Sequence, residues 1–535
     1  MNFDMLKYRY PSRRSVICGR RGMVCTSQPL AAQAGLDILK KGGNAVDAAI
    51  ATAVCMTVLE PTGNGLGSDA FDLLWFNGKL YGLNGSGGAP KLQTLEKMQD
   101  RGYKDMPYRG WDSVTVPGAV SAWSTLHRRF GRLPFKELFA AAVDYAENGF
   151  PVHPVTSRLW NDAVKTFAPF QDRPEFRPFF ETFLKEGAPA AGRTVKLPDH
   201  GRTLRELAET EGESFYRGAL ARAVDAFSRE TGGLIRADDL EDYHAQWVEP
   251  IMARYKGFDV CEIPPNGHGI VALMALNILQ KLDTSMGRDA ESTVHRQLEA
   301  MKLAFTDGLT YIADPRFMKM KTEYLLSDAY AAVRSGEIGE DALMPRPIDP
   351  QCGGTVYMCT ADAEGNMVSH IQSNFRGFGS GIVIPGTGIA LNDRGCGFKL
   401  DPRADGCIAP GKKPYHTIIP GFLMKDGQPL GPFGVMGGYM QPQGHVQVVM
   451  NLVDYALNPQ EALDAPRWQW LGGKKIEIES AFAPEVAEGL RRRGHDVTVA
   501  DDFITFGRGQ MILRGEDGVL IGATESRADG CVAAW

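Results

Sequence analysis

No stretch of this chain approaches 18 uninterrupted apolar residues, so no membrane-spanning helix is expected. The opening segment, "MNFDMLKYRYPSRRSVICGRRG", is charged throughout and lacks the apolar core of a secretory signal, which predicts a cytoplasmic protein. An excess of positive charge is also missing. Lys and Arg number 58 against 64 Asp and Glu, a net charge of -6, which argues against nucleic acid or an anionic membrane as partner. Nine cysteines, an odd number without tight spacing, fit reduced thiols better than a disulfide framework. Cys352 and Cys359 stand at a spacing that common zinc sites do not use, and read as bystanders. No H-E-x-x-H or paired C-x-x-C occurs and the ten histidines are scattered, so neither a metal nor another cofactor is expected. "GNGLG" and "GFGSG" lack the G-x-G-x-x-G spacing of a dinucleotide loop, and "GFGSG" is not a G-x-S-x-G nucleophile elbow.

What remains is an ordinary globular composition, 44% hydrophobic and 23% charged over 535 residues. "PLAAQAGLDILKKGG" reads as an amphipathic helix ended by a glycine pair. "NAVDAAIATAVCMTVLEP" starts at an Asn cap and is apolar nearly all round, so it predicts a deeply buried helix. A glycine-rich turn, "TGNGLGSDA", then leads into two short strands around an Asn-Gly hairpin turn. Residues 116–330 read as mostly helical, 331–354 as an exposed loop, and the chain from Thr355 onward as short strands and turns around one helix at "PQGHVQVVMNLVDYAL".

The chemistry concentrates at "QCGGTVYMCTADAEGNMVSHIQS". "TVYMCTA" and "MVSHIQS" read as a hairpin, and symmetry about Glu364 sets Ala361 opposite Met367 and Thr355 opposite Ser373. Opposed residues bring their Cβ atoms to about 4.5–5.5 Å, so two hydroxyls meet at the open end of the hairpin. A cross-strand Thr–Ser hydrogen bond of the ordinary structural kind accounts for the pair by itself. A second possibility follows from the glycines in front. Thr355 is nucleophile and base in one residue if its α-amino group, of pKa about 7.7–8.0, is free. Freeing it requires scission between Gly354 and Thr355, and glycines at 353 and 354 tolerate strained dihedrals and leave the scissile carbonyl unshielded.

Along nearly its whole length the chain resembles the γ-glutamyltranspeptidase family of N-terminal nucleophile hydrolases. The resemblance is carried by "PLAAQAGLDILKKGGNAVDAAIA", "SVTVPGAVSAW", "EAMKLAFTDGLTYIADPRF", "GGTVYMCTADAEGNMVS" and "MGGYMQPQGHVQVVMNLVDYALNPQEALDAPRW", in that order. It implies an α+β fold, a four-layer αββα sandwich, formed jointly by two fragments of one precursor. Residues 1–354 would be the large subunit and 355–535 the small one, a heterodimer or a dimer of heterodimers acting on a small-molecule amide. The resemblance puts the nucleophile at Thr355, its supporting hydroxyl at Ser373, and a backbone oxyanion hole at Gly437 and Gly438.

The same resemblance exposes departures. Ser86 stands where transpeptidases carry the arginine that holds a glutamate carboxylate, and Gly397 where an aspartate takes the α-amino group. His416 and Thr417 replace a pair of serines, and Phe375 an asparagine. Losing a buried bidentate carboxylate pair removes several kcal/mol of recognition, so a standard γ-glutamyl site is not expected. Arg394, in the segment of the lost aspartate, together with His416 suggests a reader for a carboxylate closer to the scissile amide. Oxamate fits that description, and amidohydrolases for it occur among transpeptidase relatives. The alternatives are a surface cation for Arg394, a structural histidine for His416, and for the whole chain either γ-glutamyl hydrolase or transferase activity through a rebuilt pocket or an inactive, unprocessed binding protein. His370 is expected on the strand face opposite Ser373, as a structural residue.

Overall fold

The computed structural model describes residues 14–345 and 354–535. Residues 346–353, the part of the expected linker that holds Cys352 and Gly353, lie outside the described residues.

Two seven-stranded antiparallel sheets lie face to face. In the first, the order is Cys531–Ala534, Gly22–Thr26, Gly354–Asp362, Met367–Phe375, Asp69–Phe76, Lys79–Gly85 and Gln246–Val248. In the second it is Ile17–Gly19, Leu520–Thr524, Arg508–Arg514, Gln428–Met436, Gly421–Lys425, Phe258–Glu262 and Ile251–Tyr255. Tyr357, Ile371, Phe71, Phe422, Met436 and Ile512 fill the space between them. The outer face of the first sheet, with Val356, Met358 and Val368, packs on helices that include Ala45–Leu59, all of whose residues are buried. The outer face of the second packs on Gly269–Leu279, Glu291–Tyr311 and Met440–Val453. This is the expected αββα sandwich.

Local sequence accounts for much of it. Asn44 caps the buried helix through its side chain and Asp47 closes the box from the third position. Asn77 and Gly78, with φ of 50° and 79°, make the hairpin turn predicted for them. Three expectations fail. Beyond Met440–Val453 the C-terminal part carries two more helices, Pro459–Asp464 and Pro484–Arg492, where strands and turns were expected. The helical reading of 116–330 is interrupted by the strands Gln246–Val248, Ile251–Tyr255 and Phe258–Glu262. The last two form a hairpin about Lys256 and Gly257, both at positive φ, which is turn chemistry the helical reading overlooked. Residues 331–335, assigned to a loop, end the helix Asp328–Ser335.

Alternation decides which side chains reach the site. In the central hairpin, odd-numbered residues face the second sheet and even-numbered ones the helices. His370 therefore points to the helical layer, where Nδ1 meets Asp72 at 2.6 Å and Nε2 meets Gln372 at 3.1 Å, the structural role expected of it. Close approach of the sheets is set at Gly434, where an added Cβ would lie 2.5 Å from the Tyr357 ring. Gly434→Ala should therefore destabilise the fold by about 1–3 kcal/mol through overpacking. A thermal melt reads the loss as a lowered Tm, and an unchanged Tm would contradict this packing.

Candidate functional site

The Ala361–Met367 pairing that the hairpin symmetry predicts is present, and the register holds as far as Val356–Gln372. There it slips, so that Gly354 pairs with Phe375 and Thr355 sits in a bulge. The hydroxyls still meet: Thr355 Oγ1 and Ser373 Oγ are 3.0 Å apart and both residues are fully buried. Ser373 Oγ also accepts the backbone N–H of Phe375 at 2.7 Å. Phe375 holds a φ of 80°, a conformation that costs a bulky residue of order 1–3 kcal/mol and that clusters at functional positions. On its other side, the Thr355 backbone is approached so closely by Gly63 that a Cβ there would lie 3.3 Å from its N and O.

Gly437 and Gly438 follow the strand Gln428–Met436 and precede the helix Met440–Val453. Their φ values of 146° and 62° favour glycine. Gly437 and Gly63 line one cavity of about 200 Å³, together with Arg109, Gly377 and Arg508.

Arg394 is not a surface cation. It is 1% exposed, on the 3-10 turn Arg394–Gly397. One guanidinium nitrogen donates to Thr417 Oγ1 at 2.7 Å, and the guanidinium carbon lies 4.3 Å from the centroid of the Phe375 ring. Nε and the other terminal nitrogen have no hydrogen-bond partner among the described residues. The adjacent Asp393 is taken by Arg109, at 3.0 Å. Burial lowers the Arg394 pKa, while Asp69 and Asp393 raise it, and an arginine in a protein stays charged. A buried guanidinium with unused donors has hydrogen-bonding capacity left over for an anion.

The residue that sequence reading missed is Asp69. It opens the strand Asp69–Phe76, directly paired with Ser373, and is fully buried. Oδ2 accepts from His416 Nε2 at 2.9 Å and stands 4.0 Å from Arg394 Nε, while Oδ1 makes no close hydrogen bond among the described residues, with the backbone N–H groups of Gly87 and Gly118 facing the carboxylate. Burial pushes its pKa up to about 7 against the pull of Arg394. The available signal was parity: Asp69 shares the inward face of Phe71 and Leu73, where a carboxylate needs a reason. His416 needs correcting as a direct carboxylate contact. Its Nδ1 accepts from Ile418 N–H at 3.4 Å and its Nε2 is on Asp69, so both ring nitrogens are already engaged within the protein.

The departures from the transpeptidase pattern are built into the packing. Ser86 Oγ donates to Asn84 Oδ1 at 2.7 Å and is buried. At Gly397 an added Cβ would lie 2.8 Å from the Tyr415 carbonyl oxygen, which leaves no room for an aspartate. Elsewhere His295, Glu299 and His495 gather ligand atoms within 4.8 Å. A cation already occupies that cluster: Lys302 Nζ is 2.7 Å from Glu299 and 3.4 Å from His495 Nδ1.

The gamma-glutamyltranspeptidase family model matches residues 31–535. The chain belongs to that family. Within it, the chain is 35% identical over 529 residues to the oxamate amidohydrolase proenzyme of Klebsiella pneumoniae, covering 96% of this chain and 98% of that protein. It is 34% identical to the glutathione hydrolase-like YwrD proenzyme of Bacillus subtilis, over 97% of this chain and 99% of that one. Among solved structures, the cephalosporin acylase of Bacillus halodurans is similar at a TM-score of 0.97 and 54% identity, covering 100% of this chain and 99% of that chain. These family members are hydrolases of amide bonds.

Ser373→Ala would leave the Phe375 N–H without its acceptor and Thr355 without its hydroxyl partner. We expect a loss of about 1–3 kcal/mol in stability, read in a denaturant melt. An unchanged midpoint would show that the strained Phe375 backbone does not depend on Ser373.

Proposed function

We propose that this chain is a proenzyme that cuts itself between Gly354 and Thr355 and then hydrolyses a small, non-glutamyl amide bearing a carboxylate near the scissile bond. Oxamate, yielding oxalate and ammonia, is the compact form of such a substrate. The observation that carries the reading is the buried Arg394, with unused donors, 4.0 Å from Asp69, which pairs across the sheet with the Ser373 that meets Thr355.

In the first step the Thr355 hydroxyl attacks the Gly354 carbonyl carbon and the C–N bond breaks. This leaves an ester on Oγ1 and a free Thr355 amine. Water hydrolyses the ester, Gly354 ends as a carboxylate, and residues 1–354 and 355–535 remain together as two subunits. In turnover the amine takes the hydroxyl proton as Oγ1 adds to the substrate carbonyl, then returns it to the leaving amine. Ser373 orients Oγ1, and the backbone N–H groups of Gly437 and Gly438 meet the oxyanion. Water then releases the acid. Arg394, steadied by Thr417 and by the Phe375 ring, holds the carboxylate.

A second reading has its own support. The cavity beside Gly63 and Gly437, with Arg109 and Arg508 on its wall, offers room for a larger amide, which supports γ-glutamyl activity through a rebuilt pocket or an acylase activity like that of the similar cephalosporin acylase.

Two measurements test these statements. On a denaturing gel, the wild-type chain should appear as two fragments and Thr355→Ala as an intact 58.5 kDa species. An intact wild type after prolonged incubation would overturn self-cleavage and favour an inactive binding protein. Ammonia release from oxamate, compared with amine release from a glutaryl amide and a γ-glutamyl anilide, ranks the substrate classes. Robust γ-glutamyl turnover at low concentration would contradict the reading of Ser86 and Gly397. Arg394→Ala should cost about 2–5 kcal/mol on carboxylate-bearing amides, roughly 30- to 4,000-fold in kcat/KM. Unchanged kinetics would remove Arg394 from the site.

A further inference from the structure

The anion site carries an internal anion of its own. Resting on the carboxylate reading above, we propose that the Asp69–His416 pair is a proton-accepting counter-ion, which takes up one proton from solvent as a substrate carboxylate seats on Arg394. Asp69 thereby becomes a specificity-determining residue.

The geometry requires some such device. In the empty site the Arg394 cation faces one carboxylate, Asp69, at 4.0 Å, too far for a hydrogen bond and near enough to offset charge. A substrate carboxylate on the two unused donors of Arg394 would add a second anion to a fully buried space. Two carboxylates sharing one site do not both stay ionised at neutral pH. Lys413 and the backbone N–H groups of Gly87 and Gly118 favour an ionised Asp69, but burial outweighs them, and none of the neighbouring groups is free to neutralise a second anion. Lys413, from the segment that carries His416, directs its ammonium to the amide oxygens of Asn84 and Gln246, at 3.2 and 3.1 Å. Asp393, beside Arg394, is paired with Arg109. His268, at the start of the helix Gly269–Leu279, is buried and neutral, held by Tyr415 through Nδ1. The phenols Tyr216 and Tyr243 on the helical side carry raised pKa values and stay protonated. Asp69 Oδ1, which makes no close hydrogen bond among the described residues, is therefore the place for the proton.

With Asp69 near 7 in the empty site, and pushed higher by a second carboxylate, the bound form holds more protons than the free form. Affinity for an anionic ligand is therefore full below about pH 7 and falls as pH rises through it, approaching tenfold per pH unit by linkage. Neutral amides escape this dependence. The free Thr355 amine titrates in the same range and would contribute to the slope, so removal of the Asp69 carboxylate is the decisive comparison.

The probes are oxalate and glutarate, as competitive inhibitors of the processed enzyme between pH 6 and 9. Calorimetric titration at pH 8, in buffers of differing ionisation enthalpy, counts protons taken up. In the wild type we expect Ki to rise steeply above pH 7 and binding to draw protons from the buffer. In Asp69→Asn, which keeps an acceptor for His416, the slope should flatten to the amine's share and Ki at pH 8.5 should fall about tenfold below wild type. Asp69→Ala serves if the Asn variant does not fold. Equal slopes and equal proton uptake with and without the carboxylate would overturn the counter-ion role while leaving the anion site intact. Failure of both probes to bind the wild type would overturn both readings.

Discussion

Everything at the site depends on one sheet pairing, that of Gly354–Asp362 between Gly22–Thr26 and Met367–Phe375. A strand bonded on both edges is fixed by its neighbours and not by the chain leading into it. One of those neighbours precedes residue 354 and the other follows it, and each sheet mixes strands from the two sides. Breaking the backbone before Thr355 therefore leaves the ladder, the interior between the sheets and the Thr355–Ser373 contact in place. The bulge at Thr355 adds to this. It lifts the residue out of the regular ladder at its first position, while Ser373 Oγ is pinned by the Phe375 N–H.

The second constraint is electrostatic. Between the sheets a charge has no water to fall back on, and every ionised group there must find its compensation among neighbours. Arg394 finds little: one threonine hydroxyl, an aromatic face and a carboxylate at arm's length. Phe375 joins this cluster to the reacting end of the hairpin. Its backbone holds Ser373 and its ring lies against Arg394, so a single residue in an unfavourable conformation ties orientation of the hydroxyl to placement of the cation. A strained backbone at such a junction persists because both interactions over-determine it.

Much of this was legible in the sequence, for identifiable reasons. The hairpin register followed from turn symmetry, the buried helix from its cap and unbroken apolarity, and the opposite orientations of His370 and Ser373 from a period of two. The resemblance to the family supplied Gly437, Gly438 and the order of the sandwich. What stayed hidden was three-dimensional pairing between distant segments. Nothing in "DAFDLLWF" says that its first residue meets a histidine 347 positions later. Phe375 read as a lost polar residue because the use of its ring depends on Arg394 folding over it. The hairpin Ile251–Tyr255 with Phe258–Glu262 was masked by the helical texture on either side, and its polar edge residues match neither period cleanly.

The departures from the transpeptidase pattern are not independent substitutions that one change would reverse. An aspartate at 397 would drive its Cβ into the Tyr415 carbonyl, whose neighbours Pro414 and His416 both hydrogen-bond to Asn266. Asn266 in turn meets Asn84, the residue that holds Ser86. An arginine at 86 would have to displace that buried amide network, leaving polar groups unpaired at about 1–3 kcal/mol each. The two positions that would read a glutamyl head group thus belong to one packed unit, and the same segment carries His416 and Thr417 to Asp69 and Arg394. The 394–397 turn and residues 414–417 are packed as one body, joined by the Arg394–Thr417 hydrogen bond and by the close approach of Gly397 to Tyr415, so a single larger side chain placed at 86 or 397 would disturb the whole unit.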